Sequence, residues 1–169
     1  ELGEIVLPAL KHFELRSGGM DVANTRAAMQ IQAPHLEHLE IWFGSHNYGA
    51  DTTVEDVEQS LLKRTDLPRL RHLGLRNAEF TEAIIPVLAA SPLLRQLTSL
   101  DLSLGIFTDE GAEVLAKHAD AFRHLERLDV SQCYLTSAGE AALKGIVREL
   151  VVGTQRDLDP DYRYTAVSE

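Results

Sequence analysis

Apolar residues recur along this chain in one short unit, L-x-x-L-x-L, and the spacing of apolar residues changes between copies of it. The copies are Leu10-x-x-Phe13-x-Leu15, Leu36-x-x-Leu39-x-Ile41, Leu70-x-x-Leu73-x-Leu75, Leu97-x-x-Leu100-x-Leu102, Leu125-x-x-Leu128-x-Val130 and, less well, Val147-x-x-Leu150-x-Val152. First positions are separated by 26, 34, 27, 28 and 22 residues. Alternation within each unit places its apolar side chains on one face of an extended strand.

Between the units the spacing becomes helical. Val54, Val57, Leu61 and Leu62 follow a possible capping box of Thr52 and Glu55. Thr81 precedes Glu82-Ala83-Ile84-Ile85, Thr108 precedes Asp109-Glu110, and Ser137 with Glu140 forms another possible box. Each would supply an acceptor and negative charge to a helix start. Pro86 falls inside the third helix, where it would tighten or kink the first turn.

One strand and one helix cannot bury both apolar faces alone, so five or six such units must stack around a shared core. The stretch Leu125-Glu-Arg-Leu-Asp-Val-Ser-Gln-Cys-Tyr-Leu135 matches L-x-x-L-x-L-x-x-N/C-x-L at every specified position. The chain therefore resembles the leucine-rich-repeat proteins over residues 7–152, in the long, helix-containing form of the ribonuclease-inhibitor-like subclass. The resemblance implies an α/β solenoid, a right-handed horseshoe arc with a parallel sheet on the concave face and helices on the convex face. Six strands about 4.8 Å apart would span roughly 24 Å.

A closer resemblance, to a group of uncharacterised bacterial cytoplasmic leucine-rich-repeat proteins, rests on Leu-Pro-Ala-Leu-Lys-His (7–12), Leu-Arg-His-Leu-Gly-Leu-Arg-Asn (70–77), Leu-Asp-Leu-Ser-Leu-Gly (100–105) and the ending 162–169. It implies a longer N-terminus and brings no activity, cofactor or catalytic residues to carry over. The start at Glu1 without methionine or a polar capping module points the same way: the 1–152 repeat domain reads as the C-terminal part of a longer chain, its uncapped first repeat open to self-association. At the ninth pattern position, where the subclass carries Asn or Cys, stand Gly18, Gly44, Ala78, Gly105 and Cys133. The turns should then rely on glycine's conformational freedom and on backbone bonds, with Cys133 structural.

Composition narrows the partners. Twenty-six acidic against sixteen basic residues give a net charge of −10 with no basic run, which disfavours nucleic acid and anionic membranes. No apolar run could span a bilayer and no leader resembles a signal peptide, so a cytoplasmic protein is expected. A single cysteine agrees with a reducing compartment.

The free positions of each strand should form columns on the concave face. The third positions are His12, His38, His72, Ser99, Arg127 and Glu149; the fifth are Glu14, Glu40, Gly74, Asp101, Asp129 and Val151; the seventh are Arg16, Trp42, Arg76, Ser103, Ser131 and Gly153. Glu14 beside Glu40 and Asp101 beside Asp129 need compensating cations, which Arg16, Arg76, Arg127 and protonated histidines can supply. The columns read either as a self-paired solvated lattice or as a binding face for a basic or mixed-charge protein. A metal site using His12, His38, His72, Glu14 and Glu40 is the chemical alternative, although parallel columns do not by themselves converge on an ion.

The second repeat is about seven residues longer than its neighbours, the excess lying near Gly44–Asp51 just after Trp42 and Phe43. Aromatics at the mouth of such a loop are interface anchors, or else Phe43 and Tyr48 cover the insertion's own small core while Trp42 covers neighbouring side chains. Nucleotide-binding and hydrolase motifs are missing, and Asp157-Leu-Asp159-Pro-Asp161 fails as a calcium loop because Tyr162 occupies the glycine position. Residues 153–169 read as an acidic tail or cover, with Tyr162 and Tyr164 able to pack on the last repeat. The expectation is a noncatalytic protein-binding module, with no cofactor, using His12, Glu14, Arg16, His38, Glu40, Trp42, Phe43, Tyr48, His72, Arg76, Asp101, Arg127 and Asp129. A metal-dependent enzyme or metal-binding protein is the alternative.

Overall fold

In the computed structural model, which describes residues 2–157 and 163–167, each of the six units becomes one strand of a single parallel sheet. The strands are β1 (His12–Leu15), β2 (His38–Gly44), β3 (His72–Ala78), β4 (Ser99–Asp101), β5 (Arg127–Asp129) and β6 (Glu149–Val151), neighbours in sequence order. Register follows the repeat without a slip. His12, His38, His72, Ser99, Arg127 and Glu149 are successive partners, and so are Glu14, Glu40, Gly74, Asp101, Asp129 and Val151. A slip of one residue would turn every leucine outward, so burial enforces the match.

The intervening helices are α1 (Val22–Met29), α2 (Val54–Val57), α3 (Ile85–Ala90), α4 (Asp109–Lys117), α5 (Ala119–Phe122) and α6 (Ser137–Leu143). They cover the other face of the sheet. Leu39, Ile41, Leu73, Leu75, Leu100, Leu102, Leu128 and Val130 are buried beneath Met29, Val57, Leu61, Leu88, Leu115 and Leu143 as one continuous core. At the first repeat Leu10, Phe13 and Leu15 are only partly covered.

Several helix starts shift from their expected residues. The cap of α2 is Thr53 with Asp56, a full capping box, while Thr52 turns to hydrogen-bond the Thr25 hydroxyl. Thr136, not Ser137, caps α6, whereas Thr108 caps α4 as anticipated. Thr81 is buried and closes a turn by donating to the Ala78 carbonyl, so α3 begins only at Ile85, with Pro86 in its first turn. Carboxylates instead tie cap to cap between repeats: Glu82 accepts from Thr108 N at 2.7 Å, and Asp109 from Thr136 N at 2.9 Å. Beyond α2 the chain widens into a π-turn over Glu58–Leu62, which the helical spacing did not disclose.

The loop after each strand also departs from expectation. Only Gly44 uses a positive φ at the ninth position; in the third to fifth repeats the left-handed residue is one earlier, at Asn77, Leu104 and Gln132. The C-terminal segment satisfies much of this loop edge. It runs back over the repeats: Arg156 N donates to Cys133 O, Ala166 N to Leu104 O, and Asn77 exchanges two bonds with the Val167 backbone. The guanidinium of Arg156 stacks over Tyr134 and donates to Gly105 O at 2.7 Å. Peptide bonds from this segment thus serve where an asparagine ladder is missing. Tyr164 engages the Tyr134 hydroxyl through its backbone, its side chain staying exposed, while Tyr162 and most of the calcium-loop imitation fall outside the described residues. Cys133 is buried, and burial pushes its thiol up to about 12.

Candidate functional site

The concave face divides after the third strand. In the first three repeats the third-position imidazoles stack: His12 on His38 at 3.8 Å and His38 on His72 at 4.0 Å, nearly parallel. Identical side chains on neighbouring parallel strands are held at the sheet spacing, so three flat rings in register have little choice but to stack. Burial, then the neighbouring histidines, push His38 down to about 4, and burial pushes His72 down as well. Both rings are therefore neutral near pH 7.

Beside this stack, Glu14 accepts from His12 Nε2 at 2.7 Å and from Arg16 at 2.6 Å, and the bond from His12 is the main reason its carboxyl lies below the ordinary value. Glu40 is more deeply set, at 5% exposure. Its Oε1 accepts from Trp42 Nε1 at 2.6 Å and from Arg76 at 2.9 Å. Gly74, next on the fifth-position column, leaves the space into which Glu40 leans; a Cβ there would stand 2.8 Å from Glu40 Cγ. The Trp42 ring lies between two guanidiniums, Arg16 at 5.1 Å and Arg76 at 4.7 Å from its centroid. The glutamate pair is thus compensated from the seventh-position column, as the sequence suggested.

The aspartates of repeats four and five do a different job. Asp101 accepts from Ser103 N at 2.8 Å, and Asp129 from Ser131 N at 2.9 Å and the Ser131 hydroxyl at 2.6 Å. These bonds close the turn by joining the last residue of each strand to the residue two further on in the loop. Asp101 is 9% exposed, and burial raises its carboxyl above the ordinary value despite Arg76 at 3.4 Å. Arg127 pairs with Asp129 and Glu149. Among the thirteen candidate residues, Asp101 and Asp129 each give one oxygen to their own turn and the other to an arginine, Arg76 and Arg127 respectively.

Phe43 requires a correction. At 1% exposure it packs edge-to-face on Phe80, with centroids 4.9 Å apart, because β2 continues to Gly44 and its alternation puts Phe43 on the core face with Leu39 and Ile41. It offers no contact surface. Tyr48, by contrast, is 53% exposed on a 3-10 turn (His46–Tyr48) that forms part of the insertion. Glu79 anchors this turn by accepting from the Ser45 hydroxyl and His46, and Gly19 packs against the Tyr48 backbone so closely that a Cβ would meet its carbonyl at 2.2 Å. Sequence reasoning missed Glu79 and Gly19 as the supports of this loop; both fall on the tenth repeat position, which the pattern leaves free. A hollow of about 870 Å³ near Ile5, Ala27, Gln30, Gln32 and Arg64 shares no residue with the concave columns.

Six parallel strands in one sheet, with helices between them and leucines beneath, define a leucine-rich-repeat fold. A family model described as leucine-rich repeat matches residues 94–116. A crystal structure of a Bacteroides fragilis protein superposes with a TM-score of 0.88 at 27% sequence identity, covering 99% of this chain and 47% of that one. The chain thus spans about half the length of that bacterial relative. No curated protein matches it. No helix among the described residues is long and apolar enough to cross a membrane.

Proposed function

We propose that this chain is a noncatalytic protein-interaction module that takes a basic or mixed-charge polypeptide on its concave sheet. The observation that carries the reading is Trp42, held between Arg16 and Arg76 and pinned through its indole N–H by Glu40. Tryptophan, arginine and tyrosine are the residue types that concentrate binding energy at interfaces, and a side chain already fixed in place loses little entropy on binding. Tyr48 on its braced turn, with His12, His38, His72 and Glu14, extends the contact surface. The acidic balance of the chain favours such a partner over nucleic acid or an anionic membrane. Leucine-rich repeats in general support binding and not catalysis, which favours the same reading.

A photo-crosslinking amino acid placed at Tyr48 should capture a polypeptide from the source cell that the same probe at Glu113 on α4 does not. Equal products from both positions would remove the concave assignment. Exposed Leu2, Val6 and Leu7 favour a second contact, self-association through the N-terminal end of the sheet. Light scattering checks it: Val6→Glu/Leu7→Glu should lower the apparent mass of any oligomer.

A further inference from the structure

We propose that His38 Nε2, His72 Nε2 and Glu40 Oε2 form a binding site for a divalent transition-metal ion, of which zinc is the chemically favoured case, on the floor of the concave face. One ligand atom from each of His38, Glu40 and His72 lies within 4.8 Å of the others, and His38 Nε2 is 3.8 Å from Glu40 Oε2. Tetrahedral zinc at about 2.0–2.1 Å from nitrogen requires ligand atoms about 3.3 Å apart. Capture then needs inward movements of roughly 0.5–1.5 Å and a tilt of the two rings out of parallel. Two imidazoles and one carboxylate form a donor set suited to zinc, with a coordination position left toward the open face.

Three features distinguish this set from an incidental cluster. First, Nε2 of both His38 and His72 is buried and makes no hydrogen bond among the described residues. Buried ring nitrogens without partners are costly, and a metal ion would satisfy both. Second, His72 Nδ1 lies 3.0 Å from the Ser99 hydroxyl. The tautomer that donates there leaves a bare lone pair at Nε2, the outer-shell arrangement that orients ligating histidines. Third, Glu40 is divided between two tasks: Oε1 holds Trp42 and Arg76, and Oε2 faces His38. The neighbouring set of His12, Glu14 and His38 is equally compact but already closed by the His12–Glu14 bond and by Arg16 on the other Glu14 oxygen. Both sets share His38, so one ion is held.

Chelator-treated full chain, titrated with zinc alone by calorimetry and with cobalt(II) by visible spectroscopy, tests the site. The expected result is one saturable equivalent, with four-coordinate cobalt bands. His38→Phe and His72→Phe, which preserve a stacked ring, should each weaken zinc binding at least about tenfold, and Ser99→Ala about tenfold through the His72 orientation. His12→Ala should leave it unchanged. Imidazole nitrogen resonances of the wild type provide a readout independent of any variant's folding: zinc should shift Nε2 of His38 and His72 and not of His46 or His124. Absence of saturable binding, undiminished affinity in His72→Phe, or equal losses in His12→Ala and His38→Phe would overturn the assignment. Partner capture at Tyr48 is scored without zinc, so failure of either proposal leaves the other standing.

Discussion

The fifth-position acids of the second and fifth repeats occupy the same place in the same pattern yet behave differently. Glu40 reaches sideways to Trp42 and Arg76, whereas Asp129 folds back on Ser131 two residues ahead. One methylene separates them. The shorter side chain stays within reach of its own backbone and closes the strand end; the longer one clears it and organises neighbouring strands. The division runs through the whole sheet. Repeats one to three carry the stacked rings and the ion pairs around Trp42, while the aspartates of repeats four and five close turns as well as pairing with Arg76 and Arg127, and a C-terminal segment lies on the loop edge of repeats three to five. A common framework therefore supports a Trp42-centred side-chain network at one end, the contact face under the proposed function, and turn-closing aspartates at the other.

Substitutions can break that contrast at graded cost. Leu128→Ala, in the fully buried framework common to both halves, should cost about 3 kcal/mol in urea unfolding. Asn77→Ala removes the bonds to Val167 and leaves a non-glycine residue at positive φ, for about 2 kcal/mol. Asp129→Ala should cost about 1 kcal/mol, and Glu14→Gln, an exposed ion-pair partner, no more than about 0.5 kcal/mol. Equal losses at Asp129 and Glu14 would erase the distinction between the two halves.

Acid should act on the histidine end in a definite direction. His38 titrates near 4 in the folded chain, below the ordinary 6.5, so the unfolded chain binds its proton first as pH falls. Its contribution is fully present above about pH 6.5 and is lost progressively toward pH 4, with His72 adding in the same sense. Asp101, shifted upward by burial, acts oppositely in its own acidic range, gaining stability as it protonates. Metal-free wild type should therefore lose stability across this window, and the His38→Phe/His72→Phe double variant should lose less.

The strands, their order and the column membership were legible because each leucine is read by burial and the register carries one repeat into the next. The site was less so. Phe43 reads as a loop aromatic only when the strand is ended at Ile41; β2 runs on to Gly44, and its alternation carries Phe43 to the core face with Leu39 and Ile41. Nothing in spacing separates Glu40 from Asp129, since the pattern records position and not reach. The C-terminal segment's path over Leu104 and Asn77 depends on contacts up to 90 residues apart in the chain, beyond any local signal. Cap positions missed by one residue because adjacent Thr52 and Thr53 offer the same hydroxyl; only Thr53 is placed to receive Asp56 N.

The most direct test of the contact face is quantitative capture of source-cell proteins by wild type, Trp42→Ala and Asp129→Asn, each verified as folded by circular dichroism. Trp42→Ala should lose at least about tenfold in recovery of a specific partner, as expected of an interface anchor, while Asp129→Asn recovers it at the wild-type level. Equal recovery by Trp42→Ala, or a matching loss in Asp129→Asn, would contradict the division of the concave face.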